Sequence, residues 1–144
     1  MIVNLKELEI NEEYYNQIIK LYSEFGNIDT KILDYKKLNN IISNLSNNHN
    51  IFFYIDNNVI YGAITLIIEQ KFIHNGGKVG HIEDFVVLEE HRKKRIGSLL
   101  MNYAIQLSEK NNCYKIILDT NPILESFYNK YRFKNKGMYM GLYF

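Results

Sequence analysis

The segment that most constrains the fold is residues 80–97, which read GHIEDFVVLEEHRKKRIG. An apolar stretch with strand character leads through a short acidic turn into a dense basic cluster, and a helical pattern follows at once. Apolar residues then recur at i, i+3, i+4, i+7, i+8 and i+11, the strongest periodicity in the chain. These positions are Ile96, Leu99, Leu100, Tyr103, Ala104 and Leu107. A strand that runs directly into a long amphipathic helix predicts an α/β chain.

Further strands are predicted on both sides of this segment. Asn57-Asn58 predicts a two-residue hairpin turn, because asparagine tolerates a positive φ. The pattern therefore predicts the order β-α-α-β-β-β-α-β-α-β(β) in a mixed α/β (α+β) sheet. The additional predicted strands are 2–10, 51–56, 59–69, a short central strand at 114–119, and one or two strands within 133–144.

Polar residues that cap helices mark the other predicted helices. Asn11 precedes a first run of apolar residues at helical spacing. A second helix is predicted to begin at Asp29 or Thr30. Asn121 and Pro122 begin a last helix, because proline suits the first helical position.

Length and composition exclude several classes of protein. The 144 residues predict a single domain, 1–144, of which 47% are hydrophobic. A net charge of +1 gives no global basic field for nucleic acid. One cysteine excludes an intrachain disulfide framework, and we predict no metal site. No apolar run is long enough for a membrane span, and the N-terminus lacks the apolar run of a signal peptide. We therefore expect a cytoplasmic protein that binds neither nucleic acid nor membrane.

The basic cluster His91-Arg92-Lys93-Lys94-Arg95 has two interpretations. It is either a solvated helix start or localisation signal, or a site that binds an anion. Positive charge at a helix N-terminus opposes the helix dipole, so it costs stability unless an anion is bound there. Gly97, in the first turn, lets a ligand approach the backbone closely. These two features favour the anion site.

The order of elements and the turn from Arg92 to Gly97 resemble the GCN5-related N-acetyltransferase (GNAT) superfamily. That resemblance implies a mixed, mostly antiparallel sheet flanked by helices. The superfamily's acetyl-CoA loop usually reads Gln/Arg-x-x-Gly-x-Gly/Ala, and this chain carries Arg95 where the first glycine usually stands. Four further motifs resemble the glucosamine-6-phosphate N-acetyltransferase family. They are Lys71-Phe-Ile-His74, Gly80-His-Ile-Glu-Asp84, Cys113-Tyr-Lys-Ile-Ile-Leu-Asp119 and Phe127-Tyr128-x-Lys130.

The resemblance implies the co-substrate acetyl-CoA, whose acetyl group would pass to the 2-amino group of glucosamine 6-phosphate. The backbone of Phe85, Val86 and Val87 would line the acetyl-pantetheine arm, as an extended ligand added to an open strand. The pyrophosphate would lie on the loop and first helical turn. The residues implied there are Arg92, Lys93, Lys94, Arg95, Ile96, Gly97 and Ser98.

Three residues are implied as catalytic. Tyr128 would donate a hydrogen bond or proton to the departing sulfur, although an aromatic at helical spacing also suits a core position. Asp119 would orient the amine, although it also stands where a capping group would. Glu83 would contact the sugar. Because neighbours in a regular strand face opposite ways, Glu83 and Asp84 are not expected to form a carboxylate pair.

The resemblance also implies residues that bind the acceptor. Lys115 is notable, because a charge within a strand is costly without an anionic partner. Ser23 stands where the family carries a threonine. The implied substrate-binding residues are Ser23, Lys71, His74, Glu83, Asp84, Tyr114 and Lys115.

One position departs from the family. Its members usually carry an arginine near the C-terminus, supplied across a homodimer interface to the sugar phosphate. That place falls at Tyr143, which can hydrogen-bond a phosphate but cannot neutralise it. A homodimer is implied, and the aromatic tail is compatible with one.

Direct transfer in a ternary complex is expected, because neither Cys113 nor any Ser–His pairing offers a convincing nucleophile. Two alternatives remain open: an acetyltransferase for another small amine, and a non-catalytic acyl-CoA-binding module.

Overall fold

The structure, a computed structural model, describes residues 1–144 as a five-stranded sheet with helices on both faces. The strands lie in the order β1-β2-β3-β4-β5; the first four are antiparallel to their neighbours, and β5 is parallel to β4. The strands are β1 (Ile2–Asn4), β2 (His49–Asp56), β3 (Val59–Gln70), β4 (Lys78–Val87) and β5 (Cys113–Leu118). The mixed, mostly antiparallel sheet predicted from the sequence is confirmed.

Five helices accompany the sheet, and polar caps fix several of their starts. The side chain of Asn11 accepts from the N–H of Tyr14, and that of Asn121 accepts from the N–H of Leu124. The helices are α1 (Glu12–Tyr22), α2 (Tyr35–Ser43), the single turn α3 (Ile73–Gly76), α4 (Ile96–Lys110) and α5 (Glu125–Asn129). Short 3₁₀ turns lie at Leu5–Glu7, Glu89–His91 and Pro122–Leu124. None of these helices has the length and apolar character needed to cross a bilayer.

Alternation along the inner strands divides the core into two layers. Phe53 and Ala63 pack with α1 and α2, whereas their neighbours Phe52 and Ile64 pack with α4. Asn57 (φ 48°) and Asn58 (φ 62°) form the predicted hairpin turn between β2 and β3. The sheet is therefore covered on both faces, and only its margins are free to form a site.

Several predicted elements differ from the structure. The first strand ends at Asn4, because a 3₁₀ turn capped by its side chain follows. The second helix begins at Tyr35 rather than at Asp29 or Thr30, because Asp34 caps it by accepting from the N–H of Lys37 at 2.7 Å. The fifth strand lies at the edge of the sheet, not in its centre, and is largely exposed. Residues 133–144 contain no helix or strand.

The buried face of α4 differs from the predicted one, because it also includes Met101 and Ser108. Ile96, Leu100 and Ala104 are buried, but Leu99 is 46% exposed and Tyr103 is 37% exposed. Tyr103 packs edge-on against Phe52, with ring centroids 4.9 Å apart. The helix is thus rotated about its axis relative to the orientation that the periodicity predicts.

This geometry predicts unequal costs for two neighbouring truncations in α4. Leu100→Ala should lower the free energy of unfolding by about 2–5 kcal/mol, because it leaves a cavity at a fully buried position. Leu99→Ala should change it by no more than about 0.5–1 kcal/mol. Urea denaturation at constant m-value measures both changes. Equal losses would contradict the assignment of the buried face.

Candidate active site

Strand β4 continues beyond the end of its parallel neighbour β5, so one edge of β4 is open. The last paired residues are Ile82 and Leu118, whereas β4 runs on to Val87. Backbone groups beyond Ile82 that face the β5 side therefore lack a strand partner there. A cleft of about 250 Å³ lies at this place. It is lined by Phe85, Val86, Val87, His91, Arg92, Lys93, Arg95, Gly97, Ser98, Leu124, Phe127 and Tyr128.

The connection from β4 to α4 has the features of an anion site at one end of this cleft. Arg95, the residue before α4, has φ 65° and makes no side-chain cap, so the first N–H groups of the helix have no side-chain acceptor. Lys93 has φ 63°. None of the cations Lys93, Lys94 and Arg95 forms an ion pair with a carboxylate. Uncapped N–H groups beside unpaired cations are the features that bind phosphate at helix N-termini.

The structure separates the roles of the other predicted loop residues. Lys94 lies outside the cleft lining, with Nζ 3.4 Å from Nδ1 of His91. Ile96 is buried in the core beneath the loop. A Cβ on Gly97 would lie 3.3 Å from Cζ of Phe85, so the missing side chain keeps the helix close to the cleft wall. The anion would therefore meet backbone at these positions and cations at Lys93 and Arg95.

Arg92 lines the cleft, but its guanidinium is held by the protein. Nε donates to the carbonyl oxygen of Val87 at 3.1 Å, and Nη2 lies 2.7 Å from Oε2 of Glu24. Glu24 lies distant in sequence, just beyond the end of α1, so no local pattern indicated this pair. Arg92 accordingly contributes less free positive charge to the cleft than the sequence predicts.

Tyr128 lies in α5 with its ring packed among aromatic side chains of the cleft. It is 7% exposed, and ring centroids of Phe127, Phe133 and Phe85 lie 5.2, 6.0 and 6.5 Å away. Burial raises the pKa of its phenol, and a hydrogen bond with the Thr120 side chain partly opposes that rise. The hydroxyl therefore keeps its proton throughout the neutral range and is a hydrogen-bond donor there.

Three carboxylates, those of Glu83, Asp84 and Asp119, lie close to one another near the end of β5. The pKa of Glu83 is raised, first by desolvation and then by the negative charges of Asp119 and Asp84, while His81 lowers it. Like charges close together and partial burial both favour the protonated form. Glu83 is thus suited to take a proton from a bound ammonium group.

A β-bulge brings Asp84 into this group, which contradicts the regular alternation expected for Glu83 and Asp84. Thr65 of β3 pairs with Glu83 and Ala63 pairs with Val86, so β4 carries an extra residue here. Asp84 adopts φ 45°, a left-handed conformation inside a strand. Alternation fails at such a bulge, and the Asp84 charge reaches Glu83.

The predicted acceptor contacts fall into two groups. Lys71 lies 2.6 Å from Oε1 of Glu69, whose Oε2 lies 2.8 Å from Nε2 of His81. The hydrogen bond from Lys71 lowers the pKa of Glu69 most, and the hydrogen bond with His81 lowers it further. Lys115 pairs with no carboxylate; its Nζ lies 5.7 Å from the ring centroid of Tyr114. Lys115 is therefore the freer of the two cations.

The remaining predicted contacts lie near the turn α3 and at the end of α1. His74 has φ 51° and stacks on Tyr114 with ring centroids 4.1 Å apart. Ser23 donates its hydroxyl to the carbonyl oxygen of Ile19 at 2.7 Å. The contact of His81 with Glu69 depends on strand register, which spacing along the sequence does not reveal.

The structure also has a second groove, away from the cleft beside β4. This larger groove, of about 460 Å³, is lined mostly by amide side chains, among them Asn47, Asn48 and Asn111. It contains none of the predicted site residues. No group of three or more His, Cys, Asp or Glu side chains is placed to hold a metal ion. Burial raises the pKa of Cys113, which keeps that thiol protonated.

Comparison with known proteins identifies the fold. The model of the acetyltransferase (GNAT) family matches residues 11–133. The chain belongs to the acetyltransferase (GNAT) family. Acetyltransferases of this family use acetyl-CoA, and the open β4 edge, the uncapped helix and the loop cations fit that co-substrate.

Within that family, the chain is similar to curated proteins named glucosamine 6-phosphate N-acetyltransferase. Glucosamine 6-phosphate N-acetyltransferase of Candida albicans is 31% identical over 130 residues, 90% of this chain and 86% of the relative. Glucosamine 6-phosphate N-acetyltransferase 1 of Dictyostelium discoideum is 41% identical over 86 residues, 60% of this chain and 55% of the relative. The chain spans about half the length of several other curated relatives.

A solved structure agrees with these sequence matches. The crystal structure of glucosamine-6-phosphate N-acetyltransferase from Arabidopsis thaliana superposes with a TM-score of 0.81 at 30% identity. The match covers 100% of this chain and 97% of that chain. The resemblance inferred from four short motifs is confirmed.

The electrostatics of the carboxylate group predict a measurable titration. In a carbon-13 NMR titration of the side-chain carboxyls, Glu83 should titrate above the ordinary range of glutamate. Asp119→Asn should lower the pKa of Glu83, because it removes the neighbouring negative charge that raises this pKa more than Asp84 does. Asp84→Asn should lower it by less.

The control for this titration is Glu109→Gln, a change near the end of α4 that should leave the pKa of Glu83 unmoved. An unshifted Glu83 in Asp119→Asn would contradict the proximity of the two carboxylates. A rise would contradict it as well, because loss of a negative neighbour can only favour ionisation.

Proposed function

We propose that this acetyltransferase transfers the acetyl group of acetyl-CoA to the 2-amino group of glucosamine 6-phosphate. The observation that carries the proposal is the open edge of β4, with an anion site at one end and a carboxylate group beside it. The names of the relatives supply the acceptor. The product, N-acetylglucosamine 6-phosphate, is a precursor for UDP-N-acetylglucosamine synthesis in that family.

The donor would bind along the open strand. Backbone groups of Phe85, Val86 and Val87 pair with the pantetheine arm as an added strand would. Lys93, Arg95 and the N–H groups from Ile96 to Ser98 hold the pyrophosphate. The bound co-substrate supplies an acetyl thioester, whose carbonyl carbon is the electrophile.

The acceptor amine must lose a proton before it can attack, because an ammonium group has no lone pair. Glu83, with its raised pKa, takes that proton directly or through a water, and Asp119 holds the amine toward the thioester. Tyr128, protonated in the neutral range, donates to the sulfur as the thiolate leaves. Transfer is direct, within one ternary complex.

The phosphate end of the acceptor would meet Lys115, which no carboxylate neutralises. Lys71, His74 and Tyr114 complete this side of the site in the proposal, whereas Asp84 lies with Glu83 at the amine end. Lys71 already pairs with Glu69, so a bound phosphate would compete with that carboxylate for the ammonium group. Ser23 is the least supported contact, because its hydroxyl already donates to its own helix.

We also propose a homodimer. Strand β5 has an unpaired outer edge, and the tail beyond residue 137 exposes large apolar side chains. The pKa of Tyr139 is raised chiefly by its hydrogen bond with Tyr143, with smaller contributions from Asp119 and Glu83. The tail thus lies within electrostatic reach of the acceptor carboxylates, where a second copy can contribute to the site.

The acceptor assay tests this proposal directly. Release of free coenzyme A from acetyl-CoA should depend on glucosamine 6-phosphate, and mass spectrometry should find one acetyl group on nitrogen. Turnover only with other small amines would contradict the acceptor and support a different N-acetyltransferase. Tight coenzyme A binding with no turnover on any amine would support a non-catalytic binding module.

Removal of the Tyr128 hydroxyl should separate chemistry from binding. Tyr128→Phe should lower kcat about 10²–10⁴-fold, the range for a lost general acid, because the leaving thiolate loses its donor. The dissociation constant of coenzyme A, measured by titration calorimetry, should stay within about twofold. The matched control is Tyr131→Phe, a half-buried ring that contacts Phe127. Equal kcat values for Tyr128→Phe and the unchanged protein would remove the assigned role.

A further inference from the structure

The Glu24 carboxylate, just beyond the end of α1, contacts both Glu89 and Arg92 in the connection between β4 and α4. Its Oε2 lies 2.7 Å from Nη2 of Arg92, and its Oε1 accepts from the N–H of Glu89 at 3.1 Å. Arg92 in turn donates through Nε to the carbonyl oxygen of Val87 at 3.1 Å. One carboxylate thus fixes the last residue of β4, the 3₁₀ turn after it and the start of the basic loop.

Each partner of this pair stands at an unfavourable place by itself. Glu24 follows the C-terminus of α1, where the helix dipole is negative, and Arg92 precedes the N-terminus of α4, where it is positive. The ion pair between Glu24 and Arg92 offsets both of these unfavourable interactions with the helix dipoles. It also neutralises Arg92, whereas Lys93 and Arg95 remain free to meet an anion.

The chain positions Glu24 with a tightened last turn. The N–H groups of Glu24, Phe25 and Gly26 bond to carbonyl oxygens three residues earlier, at 3.1–3.2 Å. The Glu24 side chain is 20% exposed, against 52% for Glu90, which pairs with Lys20 between the same two segments. Lys20–Glu90 is a single exposed contact and serves as a natural comparison.

We propose that Glu24 is a positioning residue of the donor site: it holds Arg92 as a brace, so the basic loop is set for the pyrophosphate before acetyl-CoA binds. Arg92 acts through this brace and is not itself a direct ligand of the pyrophosphate. The inference rests on the proposed donor site. A preorganised loop avoids the entropic cost of ordering it on binding.

The test compares coenzyme A affinity in Glu24→Gln, Arg92→Gln and the double variant by titration calorimetry. Glu24→Gln keeps the side-chain shape and an acceptor for the N–H of Glu89 but removes the charge. We expect the dissociation constant to rise about tenfold in each single variant and no further in the double variant. Turnover at saturating acetyl-CoA should stay within about twofold. Glu90→Gln should leave both quantities unchanged.

A second donor separates bracing from general loss of structure. S-acetylpantetheine lacks the pyrophosphate, so its kcat/KM should be the same in Glu24→Gln and in the unchanged protein. Equal losses with both donors would overturn the proposal, as would an unchanged coenzyme A affinity. If the single effects add in the double variant, Arg92 binds the pyrophosphate directly and the proposal is wrong.

Two controls keep the outcomes distinct. If Glu24→Gln lowers the melting temperature by more than about 10 °C, Arg92→Lys replaces it, since lysine keeps the charge but loses the two-pronged contact. Coenzyme A binding by Arg92→Lys at the unchanged affinity would then overturn the brace. If the unchanged protein itself fails to bind coenzyme A, the proposed function fails and the brace has no donor to serve.

Discussion

The separation of β4 from β5 beyond Ile82 and Leu118 is the constraint on which the rest of the site depends. A parallel pair that continued to Val87 would satisfy the backbone of β4 and leave no room for a ligand. The bulge at Asp84 contributes, because the extra residue increases local twist and bends β4. Phe127 and Tyr128 of α5 then wall the space that opens.

Charge is divided along this open strand in a way that suits a transfer between an anionic donor and an amine. Lys93 and Arg95 lie toward the start of α4, and Glu83, Asp84 and Asp119 lie toward the end of β5. Between them the lining is aromatic and apolar, which excludes water and raises the pKa of Tyr128. In the proposed function the cations bind the donor, and the carboxylates bind a positively charged acceptor.

The sequence predicted those features that local chemistry determines. The Asn57-Asn58 hairpin, the Asn11 and Asn121 caps and the long helix α4 all follow from residue types at fixed spacing, and they are confirmed. The family followed from four motifs in order, and it is confirmed by relatives and by the superposed structure. The roles of individual site residues, including Tyr128 and Asp119, stay predictions.

Features that depend on distant contacts were not accessible. Period-two alternation contains no signal for a bulge, so the irregular backbone at Asp84 was not predicted. An apolar stretch such as 114–119 was interpreted as central, because pattern alone does not tell an exposed edge from a buried strand. The motif that contains Arg92 does not show that Glu24, 68 residues away, holds its guanidinium. One or two strands were predicted within 133–144, yet these residues form no strand within the chain.

Amide hydrogen exchange along β4, with and without coenzyme A, tests the central claim that the open edge of this strand is the donor site. Coenzyme A should slow exchange within 84–87 and at the first turn of α4. The paired part of β4, 79–82, should change little. Protection confined to the amide-lined groove near Asn48, or no protection in 84–87, would contradict that claim.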